Sequence, residues 1–199
     1  MNILILDTEA TGFFSKKPFN DPGQSAIIQL AFQLYEYDIN SKKNKLRSAF
    51  NSLIKPEFFS YIPEESYNVH KISFQNCLDY GIPLKLATES FIRNLNKTDV
   101  LAGHGIAYDT RAMYITFQAC GVKEEFLEKL KNVKKFDTQQ KARKIVNIKD
   151  KNNRIKIPSL NECVSYLFGH NIENAHDALV DVDYCSKVVF KLFEMGIPI

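Results

Sequence analysis

The sequence predicts an α/β protein, a mixed sheet flanked by helices, folded as one domain over residues 1–199. Three observations carry this. Strand-like apolar segments cluster early and are joined by a polar turn, an antiparallel pattern. Farther along, helical periods alternate with short apolar strands. The length suits one core, and 45% hydrophobic with 25% charged residues is the balance of a globular chain.

Residues 2–6 read as a short buried strand, and residues 26–37 and 46–54 as two more around the polar turn at 38–45. Residues 84–95 carry a helical pattern. Residues 100–101 form a short apolar strand leading into Gly103-His104-Gly105. A helix over 109–120 follows, stopped by Gly121 in a C-cap role. Residues 124–130 and 138–146 are further helices, and residues 147–156 have no apolar period and read as a loop. Pro158 suits the first turn of a helix that ends at Gly169. Ala178, Val182, Cys185, Val189 and Leu192 then recur at intervals of four and three, the core stripe of a last helix.

Several function classes are poor fits. No apolar run reaches the ~20 residues of a membrane span, and the apolar opening stops at Asp7, too soon for a secretory signal. Cys77, Cys120, Cys163 and Cys185 are dispersed and form no C-x-x-C pair, which suits reduced thiols in a cytoplasmic location. The net charge of +3 is uninformative as a sum. Its distribution is not: Lys141, Arg143, Lys144, Lys149, Lys151, Arg154 and Lys156 face Asp150 alone across residues 141–156. Such a run is either a solvated face or a strip that tracks phosphates.

The strongest local signal is Asp7-Thr8-Glu9 at the end of the first strand. Residues i and i+2 of a strand share a face, so the two carboxylates converge, and a divalent cation is the usual remedy for their repulsion. Asp109 lies at a helix start, where capping is the plainer role. Asp181 borders the core stripe of the last helix, where an acid is costly unless paired. His176 precedes that helix and overhangs whatever Asp181 binds; Asp183 falls away toward solvent.

These residues resemble a known family. Asp7-Thr8-Glu9-Ala10-Thr11-Gly12, then His104-Gly105-Ile106-Ala107-Tyr108-Asp109, then His176-Asp177-Ala178-Leu179-Val180-Asp181 are similar to the three motifs of the DEDD superfamily of 3′–5′ exonucleases, histidine (DnaQ-like) subclass. Tyr67–Ser73 resembles its I-H-G-I-T element, and Phe136-Asp137-Thr138 its D-T strand. Exodeoxyribonuclease X-type standalone enzymes look most similar. The resemblance implies a ribonuclease H-like mixed five-stranded sheet flanked by helices. It also implies a metal-dependent 3′–5′ exonuclease that releases 5′-mononucleotides from DNA, with RNA the less favoured polymer. Asp7, Glu9, Asp109 and Asp181 would hold two Mg²⁺, replaceable by Mn²⁺, and His176 would be the general base, a task suited to an imidazole.

Substrate contacts are expected from Thr8, Ala10, Thr11 and Phe13 (or Phe14), with His70 and Tyr108 next, and from Lys141, Arg143 and Lys144. The partner is nucleic acid with a free 3′ end, with a polymerase or repair protein as a further possibility and no membrane. Ala10, Gly105 and Lys71 depart from the family's common Thr, Asn and Gly. The stretch after Gly12, with Lys16, Lys17, Pro18 and Pro22, is longer than a tight hairpin. A zinc set of Cys163, His170, His176 and Cys185 matches no standard spacing. Rival readings are an RNA-trimming enzyme of the ribonuclease T or oligoribonuclease kind, a polymerase proofreading accessory, and a silent binding relative. The four retained acids argue against the last.

Overall fold

Alternation along the first strand decides the architecture. In β1 (Asn2–Ala10), Ile3 and Ile5 point to one face and Leu4 and Leu6 to the other, all four fully buried. A strand apolar on both faces must be covered on both. The computed structural model describes residues 1–21, 23–173 and 175–199, so Pro22 of the long loop lies outside the described residues. After β1 come β2 (Ile27–Asp38), β3 (Lys43–Leu53), β4 (Val100–Gly103) and β5 (Lys134–Asp137). The sheet order is β3-β2-β1-β4-β5, antiparallel through β1–β2–β3 and parallel through β1–β4–β5. This is the mixed five-stranded sheet expected.

The helices are α1 (Glu64–His70), α2 (Phe74–Tyr80), α3 (Leu84–Leu95), α4 (Ala107–Ala119), α5 (Glu124–Asn132), α6 (Thr138–Val146), α7 (Leu160–Phe168) and α8 (Ala178–Glu194). The face bearing Ile3 and Ile5 packs under α6, α7 and α8 through Ala142, Val146, Val164, Val182 and Val189. The opposite face packs Leu4, Leu6 and Phe32 under α3, α4 and α5 through Phe91, Met113, Phe117 and Leu130.

Several boundaries differ from expectation. The first strand continues through Asp7 and Glu9 because its pairing with β2 does, Thr8 opposite Leu30 and Glu9 opposite Gln29, before a register shift at Ala10. Pro158 stays outside α7; Ser159 is the N-cap, and its Oγ and the Glu162 carboxylate satisfy each other's backbone N–H groups. Helices α1 and α2 had no apolar period to betray them, since each has only seven residues. Their signals are of another kind: Pro63 before Glu64 and Glu65, and the Ser73–Asn76 capping box. Residues 147–156 form the expected loop, folded around Asp150, whose carboxylate accepts the Asn152 and Arg154 backbone N–H groups.

Candidate active site

Parity along β1 places the acids. Asp7 and Glu9 share the odd-numbered face with Ile3 and Ile5, the face covered by α8, and Asp181 stands in the first turn of α8. The carboxyl ends of parallel β1 and β4 lie together, and the chain leaving β4 enters α4 with Asp109 in its first turn. That end of an open sheet is where α/β proteins bind ligands. Gly105 takes φ 82°, a left-handed conformation that glycine and asparagine tolerate best. Its replacement of the common Asn therefore keeps the backbone.

Asp109 is not a cap. It is 3% exposed, and its Oδ1 accepts the Thr8 hydroxyl at 2.9 Å. Thr8, on the even face of β1, thus holds the acid on α4. Asp181 Oδ2 accepts the His176 backbone N–H at 3.1 Å. His176 itself is exposed, with φ 70°. Ligand atoms of Glu9, His176 and Asp181 all lie within 4.8 Å of one another. Asp7 and Asp109 stand beside that group, near enough to perturb it.

The electrostatics are those of unpaid repulsion. Burial first, then Asp109, Asp181 and Glu9, raise the Asp7 carboxyl well above its ordinary range. Glu9 is pushed up to about 8 by burial, then by Asp181, Asp109 and Asp177. Burial lifts Asp109 to about 7 against the pull of the Thr8 hydroxyl. Asp181 is raised as well, mainly by burial. None of the four makes a salt bridge among the described residues. Oxygen donors crowded this way fit hard divalent cations.

Around the acids, the loop after β1 is held from α4. The Tyr108 hydroxyl donates to the Gly12 carbonyl at 2.9 Å, and Arg111 Nη2 to the Ser15 carbonyl at 2.6 Å. Thr11 Oγ1 accepts the Ala26 backbone N–H, closing the loop. Phe14 packs against the core, whereas Phe13 is 90% exposed and stands edge-on to Tyr108 at 6.2 Å. Ala10 is buried. His70, at the end of α1, is buried against the Ala10 backbone; its Nδ1 accepts the Ile72 N–H, and its Nε2 has no hydrogen-bond partner among the described residues.

The basic residues are elsewhere. Helix α6 is capped by the Asp137 side chain, which accepts the Gln139 and Gln140 backbone N–H groups. Lys141 donates to the Pro198 carbonyl, beyond the end of α8 remote from Asp181, and Arg143 to the Ile155 carbonyl. Lys144, Lys149 and Lys151 have no ion-pair partner among the described residues. The zinc set is not assembled: Cys163 and Cys185 are core residues, while His170 packs against Phe168 and Tyr184. Asp183 is exposed as expected, yet accepts the Gln33 amide.

Residues missed in the sequence include Arg111 and Gln29. Gln29, on the α8 face of β2, accepts the Ala178 N–H at 3.2 Å and donates to Asn51. The signal was a glutamine inside the apolar first half of β2.

Residues 4–189 match the exonuclease family model of the ribonuclease T type. A comparison with curated proteins finds no match. Among solved structures, E. coli exonuclease I with a dT13 oligonucleotide is similar in fold: TM-score 0.75, 16% identity, 95% of this chain and 40% of that one. Exonuclease I of Methylocaldum szegediense gives 0.72, 16%, 98% and 42%. A 3′-exonuclease described as recognising the 3′ end of histone mRNA stem-loop gives 0.66, 13%, 98% and 83%. The chain thus spans about two fifths of the exonuclease I chains it matches.

Proposed function

This chain belongs to the exonuclease family, and we propose that it is a metal-dependent 3′–5′ exonuclease acting on DNA. One observation carries the reading: four carboxylates, raised by burial and by neighbouring acids, gather where the family motifs converge, with no salt-bridge partner among the described residues. Asp7, Glu9, Asp109 and Asp181 would hold two Mg²⁺ or Mn²⁺, which when bound supply the positive charge that neutralises the acids and polarises the phosphodiester.

The chain's own groups do the rest. A ring nitrogen of His176, beside Glu9 and Asp181, takes the proton of the attacking water. The water oxygen bonds to phosphorus as the bond to the 3′-oxygen breaks. That oxygen gains a proton, leaving a new 3′-hydroxyl and a 5′-mononucleotide. Thr8 keeps Asp109 in place, and Gln29 anchors the start of α8. Tyr108 and Arg111 shape the loop that presents Phe13 to the terminal base, with Thr11, Ala10 and His70 behind it. Lys144, with Lys149 and Lys151, is the better candidate for distant phosphates than Lys141 or Arg143, which are spent on carbonyls. Four free thiols suit a reducing, cytoplasm-like compartment.

An RNA substrate is the second reading, favoured by the histone mRNA 3′-exonuclease, of which this chain covers 83%. The test uses 3′- and 5′-labelled DNA and RNA strands with Mg²⁺, Mn²⁺ or EDTA. Stepwise loss from the 3′ end, abolished by EDTA and by Asp7→Ala, is expected. Metal-independent cutting, or cutting of closed circles, would overturn the reading.

A further inference from the structure

Glu9 comes from β1, whereas Asp181 comes from α8 with His176 just ahead of it. Their ligand atoms fall within 4.8 Å of one another only if the two elements stand at one fixed height. Much of what holds α8 to the sheet is apolar, through Val182, Val188, Val189 and Leu192. Apolar burial is non-directional. It presses the helix onto the strands without deciding where along them the first turn stops.

Gln29 supplies the directional contact. It pairs directly with Glu9 in the β1–β2 ladder, on the same face, where opposed Cβ atoms stand about 5 Å apart. Buried as it is, its amide must be satisfied inside the protein. Its Oε1 accepts the N–H of Ala178, which opens α8 two residues after His176 and three before Asp181. The next N–H groups stay local: those of Leu179 and Val180 go to the Asp177 carboxylate, and that of Asp181 to the Asp177 carbonyl. A backbone N–H can only donate, so Oε1 must face Ala178 and Nε2 must turn away. Nε2 donates to Asn51 Oδ1 at 3.0 Å, a diagonal neighbour on β3. The glutamine is thereby fixed at both ends, in a line from β3 through β2 to the turn between His176 and Asp181. Two further ties from β2, Gln33 to Asp183 and Tyr35 to Ser186, hold α8 beyond its first turn.

We propose that Gln29, braced by Asn51, is a positioning residue for the metal centre: it sets the height of the first turn of α8 against β1, and with it the spacing of Asp181 and His176 from Glu9. This rests on the exonuclease reading above. An apolar side chain of the same length would fill the space and lose the setting, because only an amide offers an acceptor to Ala178 and a donor to Asn51 at once.

The experiment titrates Mn²⁺ calorimetrically into the wild type, Gln29→Met, Gln33→Met, Asn51→Leu and Asn51→Asp, and records the melting temperature of each metal-free protein. Gln29→Met should weaken Mn²⁺ binding about tenfold or more. Gln33→Met, which removes the neighbouring tie, should lower the melting temperature at least as much and leave Mn²⁺ affinity at the wild-type value. Asn51→Leu, at an exposed position where folding is not at risk, should weaken binding in the same direction by less. Asn51→Asp keeps the acceptor and should not weaken it. On a labelled strand, saturating Mn²⁺ should recover kcat in Gln29→Met, with KM for the strand unchanged. The proposal is overturned if Gln29→Met binds Mn²⁺ like the wild type, or if Gln33→Met loses as much affinity, which would make Gln29 merely structural. Should Gln29→Met fail to fold, wild-type affinity in Asn51→Leu overturns it. A wild type that binds Mn²⁺ but shortens neither DNA nor RNA would instead overturn the exonuclease reading, and the affinity ranking would still decide the role of Gln29.

Discussion

The acid cluster and the basic segment at residues 141–156 are both dense in one sign of charge, and the fold treats them oppositely. In the basic segment four of the seven side chains find partners: Arg154 with Asp150 at 3.2 Å, Lys156 with Glu162 at 2.6 Å, Lys141 and Arg143 with carbonyls. At the acids no lysine or arginine forms an ion pair among the described residues, only the His176 ring lies near, and burial makes the repulsion worse. A charge run whose members are mostly exposed and partly tied to neighbouring groups serves the fold. A buried one left uncompensated must be completed from outside, and that is the better mark of function.

Removing acids is the strongest way to break this contrast. Asp7→Asn should lower kcat by about 10³-fold or more while raising the melting temperature of metal-free protein, because repulsion is relieved. Activity and calorimetry together check it; a variant both inactive and destabilised would mean that Asp7 is structural. Next, His176→Ala should reduce kcat by about 10²–10⁴-fold with Mg²⁺ affinity, measured by titration calorimetry, largely kept. Equal loss of both would make His176 a ligand.

The pH response is smaller and has a definite sign. Glu9 titrates near 4.5 when unfolded and about 8 when folded, so the folded state retains the proton in between. That stabilisation is complete below the lower value and lost as pH rises through the upper. Asp109, lifted to about 7, acts in the same direction. Metal-free protein should therefore lose roughly 2 kcal/mol or more between about pH 5 and 8.5 in denaturant melts. Glu9→Gln should flatten the curve, and Mg²⁺ should restore stability at the alkaline end. Smallest of all, Lys144→Ala should leave low-salt cleavage unchanged and reduce the salt slope of binding by about 1; an unchanged slope would leave Lys144 a solvated charge.

Much of this site was readable in the chain because its residues obey short periods. Asp7 and Glu9 share a face by the two-residue rule, and Asp181 borders a helical stripe. What was not readable depends on contacts between distant segments. Thr8 reaching Asp109, Tyr108 and Arg111 reaching the loop, and Gln29 reaching Ala178 span long stretches of chain, and no local spacing encodes them. The run at 141–156 was legible as charge but not as paired charge, since its partners include backbone carbonyls. Helices α1 and α2 escaped because seven residues complete too few turns to show a period.

The central position of β1 has a consequence for motion. Asp7 and Glu9 extend a strand paired on both sides through Ile5 and stay paired with β2 themselves, so their backbone should open only with that central pairing, whereas His176 sits on an exposed segment before α8. Hydrogen exchange should therefore separate the two halves of the site by orders of magnitude in protection. The acids are a fixed anvil; the imidazole is the part free to come and go.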